Sequence, residues 1–308
     1  MDSEWTVGPA EAGLRLDKFL AAAERAGTRG RAAAALERGK VLVNGEDASP
    51  ADAARRLTAG DVVRLWIDRP GSARPKRPTS IGGLQIVFED EAIVVLDKPA
   101  GLLSVPLPRQ GDPPSVQRLL AEHLHPRGRR RPRVVHRIDR DTSGLVVFAK
   151  HLAAQAHLKA QFRRREPERV YLAVVYGHPS PPSGTWRDHL VWDDEALIQK
   201  ETHPRDPRGR EAVSDYRVVE TLRGASLVEV RLHTGKRNQI RLQARLRGHT
   251  LVGERRYVYG PEVLRPIPFS RQALHAHRLA FVHPRDGRAL RFESPLPADM
   301  RALVDRLR

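Results

Sequence analysis

Apolar and polar positions follow two different periods along the chain, and together they predict both helices and strands. Residues 14–20 carry apolar side chains at helical spacing, which predicts an amphipathic first helix. Residues 170–176 and 227–232 alternate as strands do. Residues 237–247 return to helical spacing, and Gly248 is a suitable residue to end that helix. Because there is no regular strand–helix–strand repeat, the pattern favours an α+β fold over a doubly wound α/β fold.

A proline-rich segment separates two regions that differ in their helix and strand patterns. Residues 13–68 contain short helical and strand patterns and the hairpin signal Asn44-Gly45, whereas residues 1–12 are expected to form a loose leader. Residues 69–80 contain three prolines, four basic residues and no acid, which predicts a semi-rigid linker. We therefore expect a small domain over 13–68 and a larger α+β domain over 81–308.

The length and the charge of the chain narrow its function. With 308 residues it exceeds the roughly 100–200 residues of one domain, which agrees with two domains. Lys and Arg number 54 and Asp and Glu 37, so the net charge is +17. A polyanionic partner is expected, with nucleic acid first and an acidic membrane surface second. Arginines that are simply solvated would give the same composition.

The composition also excludes several kinds of chemistry. The chain has no cysteine, which removes disulfides, thiolate zinc sites and thiol nucleophiles. No metal-ligand or phosphate-loop motif occurs, so no metal site is expected. The N-terminus lacks the pattern of a signal peptide, and no apolar run approaches the roughly 18 residues of a membrane span. We expect a cytoplasmic protein that does not bind a membrane.

The most concentrated polar stretch, residues 136–144, stands directly before the apolar strand 145–149. Within it, Arg137 and Arg140 flank Asp139, and neighbouring cations favour the ionised form of a carboxyl group. An ionised carboxylate on a loop beside a rigid strand suits a covalent nucleophile or a base. An ordinary surface turn is the competing interpretation, because Asp, Thr, Ser and Gly are also common turn residues.

Two further groups of residues are candidates for binding. Arg237, Arg241 and Arg245 recur at every fourth position of the helix predicted over 237–247, so they would share one face. Such a row of cations suits phosphates or a partner carboxylate, although it could equally be a solvated helix face. Tyr171 lies on a predicted strand, where it could stack on a base or pack in the core.

The segment HRIDRDTSGLVVFAK (136–150) closely resembles the signature of the RluA-type pseudouridine synthases, which act on large-subunit ribosomal RNA and some other RNAs. Further segments resemble the family in the expected order, so the resemblance covers most of 81–300. They are 90–106, 168–177, 232–241, 248–257 and 274–284. The stretches RLDKFLA, RGKVLVNG and LTAGDVV within 13–68 resemble the S4 RNA-binding domain.

The resemblance implies a fold and an activity. An S4-like domain would precede a catalytic domain built on a mixed, mainly antiparallel sheet flanked by helices. That domain would isomerise uridine to pseudouridine in structured RNA, with large-subunit ribosomal RNA as the expected target. No cofactor is implied, because the reaction only rearranges the atoms of the substrate and needs no redox partner. A monomer is expected. A non-catalytic RNA-binding or ribosome-assembly protein and a metal-dependent nuclease are the alternatives, and the second would need clustered carboxylates.

The resemblance also implies roles for individual residues. Asp139 matches the essential aspartate, Tyr171 the tyrosine that packs against the target base, and Arg241 the basic residue that pairs with the aspartate. Arg137 matches the arginine that enters the RNA stack, and Ile240 is expected beside the substrate. The residues expected to contact RNA elsewhere are Arg15, Lys18, Arg29, Arg31, Lys40 and Arg237. The chain departs from the usual family residues at Lys236, Asn238, Gln243, Thr250 and Glu254.

Overall fold

The computed structural model describes residues 2–66, 80–81, 84–106, 114–124, 131–258, 260–261 and 265–308. The chain divides into two compact units, Met1–Arg77 and Pro78–Arg308. The predicted linker over 69–80 lies outside the described residues except for Ser80. The domain limits 13–68 and 81–308 therefore stay predictions.

The smaller unit is a four-stranded antiparallel sheet covered by two helices. Its elements are β1 (Asp2–Thr6), α1 (Leu16–Leu20), α2 (Arg29–Glu37), β2 (Val41–Val43), β3 (Glu46–Asp47) and β4 (Val62–Trp66), with strand order β1-β4-β2-β3. The apolar positions of α1 supply its core, where Leu16 and Phe19 are buried against Leu36 and Val63. The predicted hairpin forms between β2 and β3, with its turn at Asn44-Gly45.

The expectation of a loose leader over residues 1–12 is wrong. Asp2–Thr6 pairs antiparallel with β4, with Trp5 opposite Val63, and Val7 is buried in the core. Acidic and polar residues dominate this segment, but an edge strand needs only one apolar face. Trp5 and Val7 are two positions apart, so they provide that face.

The larger unit is one large mixed sheet with helices on both faces. Its strands are β5 (Ser80–Ile81), β6 (Leu84–Glu89), β7 (Ile93–Lys98), β8 (Arg133–Val134), β9 (Ser143–Ala149), β10 (Glu168–Tyr176), β11 (Ser183–Asp193), β12 (Ile198–Glu201), β13 (Arg210–Leu222), β14 (Ala225–Leu232), β15 (Leu274–Val282) and β16 (Ala289–Glu293). Its helices are α3 (Val116–Leu124), α4 (Leu152–Arg164), α5 (Gln239–Leu246) and α6 (Ala298–Leu307). The main strand order is β12-β11-β13-β14-β10-β15-β9-β7-β6-β5, with β16 beside β15 and β8 beside β9.

Two antiparallel halves of this sheet meet at a parallel pair, β9 and β15. Gly144 stands opposite Ala276 there, with a φ of 110°. A Cβ atom on Gly144 would lie 2.3 Å from the carbonyl oxygen of Ala276, so only glycine fits. The polar stretch before β9 thus enters the sheet at its centre.

The central strands are buried on both faces. In β10, Tyr171 and Ala173 pack in the cluster that contains α5, whereas Leu172 and Val174 face the cluster that contains α6. This two-sided burial explains the nearly continuous apolar sequence of β9 and β10. In the described part of the chain, no helix is long and apolar enough to cross a membrane.

Candidate active site

A cavity of about 500 Å³ opens beside β10 and α5 in the larger unit. Five residues that the sequence singled out line it together: Arg137, Asp139, Tyr171, Ile240 and Arg241. Tyr171 and Ile240 are largely buried, and burial raises the pKa of the Tyr171 phenol. The cavity therefore combines an apolar wall with a carboxylate and several cations, which suits a planar polar ligand.

The loop that carries Asp139 is fixed by side chains from distant parts of the chain. Lys98 Nζ donates to the carbonyl oxygens of Pro99, Leu102 and Arg140, each at 2.8 Å. Ser104 Oγ donates to the carbonyl oxygen of Ile138 and accepts from the Ile138 amide. These contacts hold the backbone on both sides of Asp139.

Lys98 is fully buried at the end of β7. Burial lowers the pKa of its amine to about 7, while the nearby Asp141 and Asp139 carboxylates act in the opposite direction. Three acceptors require three N–H donors, so the observed contacts correspond to the ammonium form. Lys98 is thus a structural anchor for the loop.

Asp139 is paired with an arginine from α5, far away in the sequence. Asp139 Oδ2 accepts from Arg241 Nη1 at 3.0 Å. Arg241 in turn makes a bidentate pair with Glu254, from Nε to Oε2 and from Nη2 to Oε1, both at 2.6 Å. Burial opposes the charge of Arg241, but Glu254 and then Asp139 outweigh it and raise the pKa of the guanidinium. Glu254, Arg241 and Asp139 therefore form a continuous chain of charges.

Glu254 is held by the backbone that follows it. Its side chain is fully buried, and its Oε1 also accepts from the amides of Arg255, Arg256 and Tyr257. Burial alone would raise the pKa of Glu254, but Arg241 and the amides of Arg256 and Tyr257 lower it. A carboxylate with this many donors stays ionised and fixes the orientation of the Arg241 guanidinium.

A second donor to Asp139 comes from Asn238, whose Nδ2 lies 2.6 Å from Asp139 Oδ2. The Gln199 amide donates to Tyr257 Oη, and Tyr257 Oη donates to Asn238 Oδ1 at 3.0 Å. With its oxygen occupied in this way, the Asn238 amide must present N–H to Asp139. No described residue donates to Asp139 Oδ1, so this oxygen is the one available to a ligand.

One expectation about the arginines is corrected. Asp139 contacts Arg241, the partner that the family resemblance implied, whereas its sequence neighbour Arg140 pairs with Asp141 at 3.2 Å. The expected row of Arg237, Arg241 and Arg245 on one helix face does not form, because α5 begins only at Gln239. Arg237 instead lies 3.8 Å from the ring centre of Trp192.

The basic residues predicted in the smaller unit lie in different environments. Lys18, Arg29 and Arg31 are exposed, whereas Lys40 is half-buried. Arg15 is exposed and makes a two-point contact with Asp17.

The residues that depart from the family pattern are close to the site. Asn238 and Glu254 belong to the network around Asp139. Lys236 lines the cavity, and Gln243 is a buried residue of α5 that accepts from Ser214 Oγ and donates to Asp188 Oδ2. Thr250 is buried, and its carbonyl oxygen accepts from the Tyr176 amide. The sequence analysis did not identify Tyr257 as a site residue, because its Oη contacts Asn238 and reaches Asp139 only through that side chain.

Comparisons with known proteins agree with this geometry. A family model described as RNA pseudouridylate synthase matches residues 92–246, and the S4 domain model matches residues 14–63. The two matches define the class, an RNA-modifying isomerase with an RNA-binding module. The human protein RNA pseudouridylate synthase domain containing 4 shares the fold, with a TM-score of 0.59 at 21% identity over 72% of this chain and 92% of that one.

Full-length relatives are also similar. Ribosomal large subunit pseudouridine synthase D of Zymomonas mobilis is 37% identical over 308 residues, which cover 96% of this chain and 94% of the relative. The Bacillus subtilis protein named uncharacterized RNA pseudouridine synthase YlyB is 36% identical over 301 residues, with 96% and 94% covered. The chain belongs to the RluA-type RNA pseudouridine synthases, which are isomerases that act on RNA. The predicted family and α+β fold are thereby confirmed.

The contacts of Lys98 lead to a stability prediction. Lys98→Met keeps an apolar stem of similar length but leaves three carbonyl oxygens without their charged donor. We expect the free energy of unfolding, measured with urea, to fall by about 3 kcal/mol. Lys159→Met, at an exposed position of α4, is the matched control and should change it by less than about 0.5 kcal/mol. Equal stability of the two variants would contradict the anchoring role.

Proposed function

We propose that this enzyme converts uridine to pseudouridine in structured large-subunit ribosomal RNA, with Asp139 as the nucleophile. The names of relatives such as the Zymomonas mobilis protein support the choice of RNA. The observation that carries the proposed mechanism is the arrangement of the carboxylate. Arg241 and Asn238 both bind Oδ2, while Oδ1 accepts no hydrogen bond from a described residue, and Asp139 lines the cavity.

The reaction balances without any redox partner. Asp139 Oδ1 attacks ribose C1′, the bond between C1′ and uracil N1 breaks, and the electron pair leaves with the base. The base turns, its C5 attacks C1′, and the bond between C1′ and Asp139 breaks, which frees the carboxylate. C5 loses one proton and N1 gains one, so the product has the same composition as the substrate.

Other residues of the cavity position the nucleotide. A base within a stem cannot reach Asp139, so the uridine must be flipped out of the stack. The exposed Arg137 fills the space that the uridine leaves, while Tyr171 and Ile240 pack against the base. Arg241 holds Asp139 in place through the hydrogen bond from its Nη1 to Asp139 Oδ2. Among the described residues that line the cavity, Asp139 is the one carboxylate, which agrees with a covalent route, since glycoside hydrolases typically use two.

The smaller unit supplies phosphate contacts. Arg29 and Arg31 lie in the first turn of α2, at the helix end where the dipole disfavours cations. Both are exposed, so they do not stabilise the helix or the core. Together with Lys18 and, on the larger unit, the stacked Arg237, they are suited to bind the RNA backbone. We assign the same role to Arg15 and Lys40.

Asp139→Asn tests the catalytic proposal, because it keeps the shape of the side chain and removes its charge. We expect no pseudouridine to form in unmodified large-subunit ribosomal RNA, as located by chemical mapping, while RNA binding changes by less than about threefold. Asp141→Asn is the matched control, since Asp141 pairs with Arg140 at the surface. It should retain activity. Turnover by Asp139→Asn close to that of the wild type would remove Asp139 from the mechanism.

A double substitution, Arg29→Gln with Arg31→Gln, tests the phosphate contacts. Each contact contributes roughly 0.7–0.9 to the slope of log affinity against log salt, so the slope should flatten by roughly 1.4–1.8. Single-turnover chemistry at saturating RNA should stay unchanged. Arg217→Gln with Arg308→Gln removes the same net charge from arginines that pair with Glu229 and Glu220, and serves as control. An equal change of slope in both proteins would indicate a nonspecific effect of net charge.

A further inference from the structure

Arg169 is a largely buried cation that pairs with no acidic side chain of the described residues. It lies on β10, two positions before Tyr171, and lines the same cavity. Its Nε is buried and has no hydrogen-bond partner, and its Nη2 reaches only the carbonyl oxygen of Leu232, at 3.5 Å. No carboxylate of a described residue pairs with it. The acidic residue beside it on the strand, Glu168, pairs with Arg278 at 3.2 Å instead.

A buried charge of this kind is unfavourable in the free protein. Burial lowers the pKa of the Arg169 guanidinium, but an arginine remains protonated at any physiological pH. Its neighbour His136 does not help, since burial and then Arg169 itself lower the pKa of that imidazole to about 3 and keep it neutral. The desolvation of Arg169 is therefore uncompensated until an anion arrives.

The guanidinium of Arg169 lies between Gly235 and Phe162. Gly235 lies so close that a Cβ atom there would come within 2.4 Å of Arg169 Nη1, so the absence of a side chain at this position leaves room for the guanidinium. On another side, the Arg169 Cζ atom lies 5.7 Å from the ring centre of Phe162, which stacks on His136. These neighbours place the group at the cavity wall without giving it a counter-charge.

The cavity as a whole is strongly positive. Its described lining contains one carboxylate, Asp139, which pairs with Arg241, against several cations. Arg163, Arg165 and Lys236 line it as well. Burial, and then the charge of Arg165, lower the pKa of the Lys236 amine, so these cations repel one another in the absence of a ligand. An anionic ligand would relieve both the repulsion and the unpaired charge of Arg169.

We propose that Arg169 is the centre of a phosphate subsite, which binds a phosphodiester of the RNA strand next to the target uridine. The inference rests on the proposed function, because phosphodiesters are the only anions that RNA offers at a flipped uridine. Gly235 allows the strand to approach closely, and Lys236 and Arg165 lie around the same subsite. Arg169 binds the substrate in this way without taking part in bond breaking.

The test compares uridine, uridine 5′-monophosphate and uridine 3′-monophosphate, titrated separately into the full-length protein and followed by calorimetry or NMR. We expect the wild type to bind one of the monophosphates at least about tenfold more tightly than uridine. Arg169→Gln should lose this preference. Arg231→Gln, an exposed arginine on the neighbouring strand β14, should retain it. The monophosphate that binds more tightly than uridine shows whether the subsite takes the phosphate on the 5′ or on the 3′ side of the target uridine.

Folding is monitored in the same samples. Without ligand, the unfolding midpoint of Arg169→Gln should be at or above that of the wild type, because an unpaired buried charge has been removed. Arg169→Lys keeps the charge and should keep most of the preference. If Arg169→Gln still prefers a monophosphate, or if a folded Arg169→Lys loses the preference completely, the subsite is wrong.

The outcome also separates this inference from the proposed function. If adenosine monophosphates bind as tightly as the uridine monophosphates and depend on Arg169 in the same way, the phosphate subsite stands and the preference for uridine is contradicted. If no monophosphate binds more tightly than uridine in the wild type, the subsite is overturned, whereas pseudouridine formation by the same protein would leave the proposed function intact.

Discussion

Glu254 is a fully buried carboxylate whose charge is stabilised by three consecutive backbone amides and by the Arg241 guanidinium. The amides fix Glu254, Glu254 fixes Arg241 through a bidentate pair, and Arg241 fixes Asp139. Removing one partner from such a buried pair typically costs about 3–5 kcal/mol, because the other charge is left uncompensated. The orientation of the proposed nucleophile therefore depends on a residue that does not contact it.

The rest of the fold brings the two ends of this charge chain together. Asp139 enters from the loop before β9, which is anchored by Lys98 and Ser104. Arg241 enters from α5, whose apolar side packs on β10 through Ile240. The close approach of Gly144 to Ala276 sets the point where β9 joins the other half of the sheet. Substitutions of the anchoring residues Lys98, Ser104 and Gly144 should therefore change the geometry of the site, although none of these residues is proposed to contact the substrate.

Much of this organisation could be predicted from the sequence, for physical reasons. The helix and strand periods located α1, β10 and β14, because each has regular apolar spacing. The polar strands β11 and β13 gave no comparable signal, since their exposed positions carry charged and small residues. The expected row of arginines failed because the helix begins two residues after Arg237.

The site was predictable only in part. The family resemblance, rather than any pattern in the chain, indicated that Arg241 pairs with Asp139 across a separation of 102 residues. The Asn238 and Tyr257 contacts were not accessible, because they depend on how the loop before α5 meets residues that lie after it. The unpaired charge of Arg169 was hidden as well, since burial of a single atom cannot be read from sequence.

The central claim is that Glu254 acts on Asp139 through Arg241. The most direct measurement is the single-turnover rate of pseudouridine formation for Glu254→Gln, Arg241→Lys and the double variant, with folding checked by thermal unfolding. We expect each single substitution to slow the reaction by about tenfold or more, because charge-assisted hydrogen bonds are lost. The double variant should be no slower than Arg241→Lys alone, because both changes break the same chain. Losses that multiply in the double variant would show that Glu254 and Arg241 act independently, and would contradict the claim.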